Sequence, residues 1–185
     1  MIEKHIDECV KILNKGGVIL YPTDTIWGIG CDATNTKSIE KIYKIKKRPK
    51  EKPLILLVNN IKMLSEYVGN FTEDKLKKIN KNNEPTTIIY SNPKKLPKIL
   101  TKTNTIAIRL TTDYFCKEII KKLKKPIIST SANISNETNP INFKQINNKI
   151  KKMVDYIVEY KMNQNLESPS KIIKINSENK IEFIR

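Results

Sequence analysis

Four short segments gather the groups that handle carboxylates and phosphates. The first, Tyr21-Pro22-Thr23-Asp24-Thr25-Ile26-Trp27-Gly28-Ile29-Gly30, packs two hydroxyls, an acid, an aromatic ring and two glycines into ten residues. Short donors beside glycine let a small polar ligand approach the backbone closely. The plain alternative is a turn closed by an Asx-type hydrogen bond. The second, Lys46-Lys47-Arg48-Pro49-Lys50-Glu51-Lys52-Pro53-Leu54, holds five cations within seven residues. Its arginine suits a phosphate gripped at two oxygens, although cations at a helix end also complement the helix dipole. The third, Ser129-Thr130-Ser131-Ala132-Asn133-Ile134-Ser135, offers hydroxyls and an amide to phosphate oxygens, or forms an ordinary capped turn. The fourth, Thr105-Ile106-Ala107-Ile108-Arg109, reads as a strand with Thr105, Ala107 and Arg109 on one side. A buried arginine at a strand end needs an anion beside it; a surface salt bridge is the competing reading.

Elements that hold such segments are legible around them. Ile2, Ile6, Cys9, Val10 and Leu13 make one apolar helical stripe, ended by Gly16-Gly17. Val18 to Tyr21 reads as a short buried strand. A helix is expected over 36–46, a strand over Leu54–Val58, and two helices across 61–81, the second opening at Thr72-Glu73-Asp74. Strands are expected at Thr86–Tyr90 and Thr105–Leu110. A helix follows Thr112-Asp113, then a strand after Pro126 at Ile127–Ser129 that leads into a polar loop over 130–141. A helix near 142–152 precedes strands near 154–160, 171–175 and 180–184, and 161–170 reads as a loop able to form a flap. Strands alternating with helices predict an α/β sheet domain, and the late run of strands predicts a mixed sheet.

Composition narrows the chemistry. With 185 residues, a single domain over 1–185 with a real core is expected. Apolar residues at 38% are too many for a disordered chain. No apolar run reaches the length of a membrane span, and no signal peptide is read at Met1–His5. Cys9, Cys31 and Cys116 are far apart and odd in number, which fits a reducing, cytoplasmic setting without a disulfide framework or structural zinc. His5 is the one histidine. A two-histidine metal site is impossible, and chemistry by phosphate binding and positioning is expected over imidazole proton transfer. The net charge of +16 fits an RNA-facing surface, and equally a lysine-biased solvated one. Only three of the 35 cationic residues are arginines, and two of those three lie in the segments above.

Taken together, in order and over Ile6 to Ser170, the four segments resemble the YrdC/TsaC family of threonylcarbamoyl-AMP synthases. The family pattern Y-P-T-[DE]-T-x-[YW]-G-[LI]-G is matched by Tyr21–Gly30, and K-x-R-P by Lys46-x-Arg48-Pro49. The A-[VI]-R strand is matched by Ala107-Ile108-Arg109, and S-x-N by Ser131-x-Asn133. The resemblance implies an α/β fold, a YrdC/RibB-like twisted mixed sheet flanked by helices, with a large concave basic cavity. It implies formation of threonylcarbamoyl-adenylate and pyrophosphate from L-threonine, bicarbonate or CO2, and ATP. Mg2+ would be carried by ATP, with no metal site assigned to protein side chains. The product would serve downstream tRNA threonylcarbamoyl-transferase proteins that modify the adenosine beside the anticodon.

By the same resemblance, Lys46, Arg48, Ser131 and Asn133 form a catalytic tetrad. Thr25, Arg109, Ser129 and Ser170 contact L-threonine, and ATP meets Arg48, Lys52, Thr105, Ser131, Asn133 and Asn139. The chain departs from the pattern at Asn82-Asn83-Glu84-Pro85-Thr86-Thr87, where relatives carry W-P-G-P-x-T. It also has Asn136 where glycine is usual after S-A-N-x-S, and Trp27 in place of tyrosine. The extra C-terminal domain of longer relatives is not expected here. Two other readings keep the fold: a non-catalytic module binding tRNA or double-stranded RNA, and a carbamoyl-transfer module like that of hydrogenase maturation proteins, which normally sits in a far longer chain with zinc-finger cysteines.

Overall fold

The computed structural model describes residues 2–69, 74, 79, 84–166, 168–175 and 181–184. The first stripe folds as helix α1 (Ile2–Asn14), which buries Ile6, Cys9 and Leu13. The chain then enters β1 (Ile19–Tyr21). The next element departs from expectation. Gly28–Asp32 is not part of a turn but a strand, β2, which pairs antiparallel with β1. Gly30 is obligatory there: a Cβ would lie 2.8 Å from Tyr21 Cε1 and 2.7 Å from the Ile128 carbonyl oxygen.

Helix α2 (Thr36–Ile45) starts at Asn35, whose side chain accepts from the Ser38 N–H. Its end sets the geometry of the lysine-arginine segment. The Arg48 N–H donates to Tyr43 O at 2.9 Å and the Lys47 N–H to Lys44 O at 3.1 Å. This is a Schellman closure, and it puts Lys47 at φ 47, the left-handed position usually held by glycine. Lys46 is thereby turned inward and buried while Lys47 stays exposed. The Lys46 ammonium donates to the carbonyl oxygens of Ser131 and Asn133, the latter at 2.8 Å, and to Asn133 Oδ1 at 2.9 Å. Burial, and secondarily the nearby Arg48 charge, lower its pKa to about 7. The oxygen cage keeps the proton bound up to that point.

Strand β3 (Ile55–Val58) leads to α3 (Ile61–Val68), capped by Asn60. The second helix expected before residue 81 falls largely outside the described residues. Strands β4 (Thr86–Ser91) and β5 (Thr105–Leu110) come next, then α4 (Tyr114–Leu123), where Asp113 accepts from the Cys116 N–H. Strand β6 (Ile127–Ser131) runs two residues further than expected, so Thr130 and Ser131 are ladder residues and not loop. The helix expected near 142–152 is split into a 3-10 turn (Phe143–Gln145) and α5 (Asn148–Met153). Asn142 and Asn147 each cap a start, so two short helices replace one. Strands β7 (Tyr156–Ile157), β8 (Lys171–Ile175) and β9 (Ile181–Phe183) complete the described elements. No described helix is long and apolar enough to cross a membrane.

The strands form one mixed sheet in the order β7-β1-β2-β6-β3-β5-β4-β8-β9. Its register sorts the side chains by face. One face carries Ile29, Cys31, Ile128, Leu56, Val58, Ile108 and Ile88, which merge with apolar residues of α2, α3 and α5 into the larger core. The other face is covered over only part of its length. There α1 and α4 pack on Ile19, Tyr21, Leu57 and Ile127 through Leu13, Phe115, Ile119 and Leu123. The remainder of that face, toward β5, β4 and β8, has no helix over it in either core cluster.

Two stability measurements follow from the end of α2. The Lys46 amine binds its proton less tightly when folded (about 7) than when unfolded (10.5). Between those values the unfolded chain holds more protons, so raising the pH favours the folded state. The stability of the wild type relative to Lys46→Met is expected to increase as pH climbs from about 7 to about 10 in urea titrations; a gap that narrows contradicts the burial effect. Lys47→Gly relieves the left-handed conformation at an exposed site and is expected to stabilise by about 0.5 kcal/mol. A clear loss of stability would contradict the strain at Lys47.

Candidate active site

The uncovered part of the sheet face is a hollow of about 290 Å3. Its floor follows from strand pairing. Gly28 lies opposite Ser131, and Ser129 opposite Ile55, which faces Ala107, which in turn faces Ile89. In the next row Leu57 lies beside Arg109, Arg109 beside Thr87, and Thr87 beside Ile172. The hydroxyl and guanidinium groups thus share one face by the two-residue period of a strand, together with an apolar floor. The loop between β1 and β2 adds Thr23, Thr25 and Ile26 to the wall, and Arg48, Pro53, Asn139, Pro169 and Ser170 complete the rim. The cationic side chains on the lining are Arg48 and Arg109.

Thr23 organises the first loop. Its Oγ1 accepts from the Thr25 N–H at 3.0 Å and the Ile26 N–H at 3.2 Å, and donates to Ile26 O at 2.8 Å. This presents the Thr25 hydroxyl to Arg109, whose Nη1 donates to it at 3.2 Å. Arg109 is 3% exposed. Its Nη2 lies 3.2 Å from Asp24 Oδ1, yet neither Asp24 Oδ1 nor Arg109 Nε has a hydrogen-bond partner. The guanidinium is thus a buried cation, its donors only partly used, on the lining of a polar hollow. Burial raises the Asp24 pKa, with the Asp113 charge adding to it and Arg109 opposing it.

At the rim, Arg48 is braced by its own loop. Its Nη2 donates to Pro53 O at 2.8 Å and its Nε to Lys52 O at 3.4 Å. The two prolines curl the chain so that these carbonyls meet the guanidinium. Ser131 Oγ donates to Asn133 Oδ1 at 2.6 Å, and Asn133 Nδ2 donates to Glu137 O at 2.6 Å. Asn136, at φ 73, takes the left-handed conformation, which asparagine tolerates. Ser170 is held by the Thr87 hydroxyl at 2.8 Å. That threonine closes the 82–87 segment and is the second residue of β4.

Of the residues singled out from sequence, Thr25, Arg48, Arg109, Ser129, Ser131, Asn139 and Ser170 converge on the hollow. Asn133 lines a second cavity of about 310 Å3, which shares Asn139 with the first. Lys46 lies beneath, holding Ser131 and Asn133 by their oxygens. Lys52 and Thr105 lie off both linings: Lys52 donates to Asn136 Oδ1 at 2.8 Å, and Thr105 Oγ1 is 2.8 Å from Thr103 Oγ1. Asp24 was visible in the first segment, but nothing in the sequence linked it to Arg109. Among the described residues no group of three His, Cys, Asp or Glu side chains is arranged to hold a metal.

Comparisons with known proteins agree with this geometry. The Sua5/YciO/YrdC family profile, described as Telomere recombination, matches residues 11–185. The threonylcarbamoyl-AMP synthase of Pseudoalteromonas translucida is 34% identical over 172 residues, 90% of this chain and 91% of that protein. The protein of the same name from Aliivibrio fischeri is 37% identical over 137 residues, 71% of this chain and 74% of its own. Among solved structures, E. coli YciO superposes with a TM-score of 0.80 at 26% identity, over 98% of this chain and 88% of that one. P. abyssi Sua5 complexed with L-threonine superposes at 0.84 with 22% identity, a likeness of fold. It covers 99% of this chain, which spans about half of the longer Sua5 chain (54%). The register that builds the hollow, the four segments that line it and these matches lead to one conclusion: the chain belongs to the Sua5/YciO/YrdC family.

Proposed function

We propose that this chain is an L-threonylcarbamoyladenylate synthase, a nucleotidyltransferase that joins L-threonine, CO2 or bicarbonate, and ATP, and that its 185 residues act as one catalytic domain. The observation that carries the reading is the presence, on one hollow, of two guanidinium groups, the buried Arg109 and the half-buried Arg48. Two anionic substrates need two such points. Arg109, with Thr25, Ser129 and Ser170, takes the amino acid. Arg48, with Ser131, Asn133 and Asn139, takes the triphosphate, and Lys52 and Thr105 serve ATP from outside the rim.

The chemistry is economical in proton transfer. The threonine amine attacks the carbon of CO2 and loses a proton, giving a carbamate. A carbamate oxygen then attacks the α-phosphorus of ATP, the bond from that phosphorus to the bridging oxygen breaks, and pyrophosphate leaves with the bond's electrons. Charge grows on the leaving group, so fixed N–H donors such as those of Arg48 stabilise the transition state. Holding the carbamate against ATP is itself worth several kcal/mol, of the order seen for well-oriented intramolecular reactions. Lys46 contributes by fixing Ser131 and Asn133 from below. The described residues offer no cage for a resident metal, so Mg2+ is expected to arrive on the ATP phosphates, where it offsets their charge.

The product suits consumption by a transferase that moves the threonylcarbamoyl group to tRNA. Relatives named threonylcarbamoyl-AMP synthase, aligned over most of their length, support the catalytic reading over a purely RNA-binding one. Pyrophosphate release with ATP and bicarbonate is expected to depend on L-threonine. Arg48→Ala is expected to lower that rate by about a hundredfold or more, the size of losing a charge-stabilising donor, while circular dichroism and melting stay close to wild type. Release without threonine, or full activity in the variant, contradicts the assignment.

A further inference from the structure

Asp24 is buried against Arg109, the same guanidinium that the proposed function gives to the threonine carboxylate. The two anions therefore compete for one cation. The Asp24 contact is an ion pair at 3.2 Å without a hydrogen bond, and the side chain is 21% exposed against 4% for Arg109. Asp24 thus neutralises Arg109 through a single Nη2 contact, and the guanidinium still lines the hollow. Once a ligand carboxylate sits there as well, two negative charges share one guanidinium in a poorly hydrated pocket. Such an arrangement is relieved when one carboxylate binds a proton.

We propose that Asp24 is a positioning residue for Arg109 that takes up a proton when a carboxylate ligand binds, so that capture of the amino acid is coupled to protonation of Asp24. The inference rests on the reading of Arg109 given above. The groups facing Asp24 fit the role. Arg109 comes from β5, Asp113 from the cap of α4, and Lys161 from the segment after β7. Lys161 Nζ is also 4.0 Å from Asp113 Oδ2, which blunts its charge toward Asp24. Burial already makes the Asp24 proton harder to lose in the ligand-free protein, so an added anion moves it in the same direction. The proton comes from solvent and is returned when the ligand leaves. No bond other than O–H is made or broken.

The test is isothermal titration of wild-type protein with L-threonine in buffers of different ionisation enthalpy, between about pH 6 and about pH 8. The expected result is net proton uptake on binding and an affinity that weakens roughly fivefold across that range, the effect of a modest pKa rise. Asp24→Asn is expected to abolish both the uptake and the slope, and Asp24→Glu to restore them in part. Lys46 titrates in the same range, but it is present in all three proteins and cancels in the comparison. Binding by the wild type without proton uptake overturns the inference and leaves the threonine reading intact. Absence of any binding by folded wild type overturns both. If Asp24→Asn fails to fold, Asp24→Glu carries the comparison: uptake and slope identical to wild type overturn the inference.

Discussion

A guanidinium cannot give up its charge in a protein, so burying one on the face of a sheet is tolerable only beside an anion. Arg109 is that case, and the rest of the hollow is arranged around it. Strand pairing fixes where it lies: next to Leu57 on one side and Thr87 on the other, one row from Ser129 and Ala107. The Thr23-centred loop brings Thr25 and Asp24 to its side. Helices α1 and α4 cover the sheet only as far as Leu57 and Tyr21. Leaving Ile55, Ile89 and Ile172 half-buried, without cover from the described helices, forgoes on the order of 1 kcal/mol each in burial. A protein that kept this face open for no reason would be less stable without return.

The second guanidinium illustrates how local backbone chemistry places function. The K-x-R spacing is read out by a Schellman closure. One lysine turns into the core and binds the ends of β6, the next takes the strained outward position, and the arginine faces the hollow. Lys46 therefore acts as a tie between α2 and the Ser131–Asn133 corner, and the same tie sets the lateral spacing between the two arginines. Any shift of α2 along the sheet would move Arg48 and Ser131 together.

Much of this was legible in the sequence, and the failures have physical causes. β5 was readable to the residue because Thr105, Ala107 and Arg109 alternate with Ile106, Ile108 and Leu110. α4 was readable from Asp113 and its apolar stripe. β2 was hidden because Gly-Ile-Gly-Cys-Asp looks like a turn; its glycines serve close passage beside Tyr21, not chain reversal. β6 was cut short because hydroxyls signal loops, whereas Ser129 and Ser131 are held extended by pairing with Gly30 and Gly28. The four motifs named the site residues, but not their neighbours. Register is a long-range property, so nothing local says that Leu57 meets Arg109 or that Asp24 turns toward it. The K-x-R motif marked Lys46, but its place beneath Ser131 and Asn133 was not legible, because in a lysine-rich chain only burial separates it from its exposed neighbours.

The central claim is that Arg109, on the open half of the sheet, is the receptor for the amino acid carboxylate. A crystal structure of this protein soaked with L-threonine tests it most directly. The account places a carboxylate oxygen about 3 Å from a guanidinium nitrogen of Arg109, with the amine pointing across the hollow toward Arg48 and Ser131. Threonine bound with its carboxylate away from Arg109, or bound outside the hollow, contradicts the account.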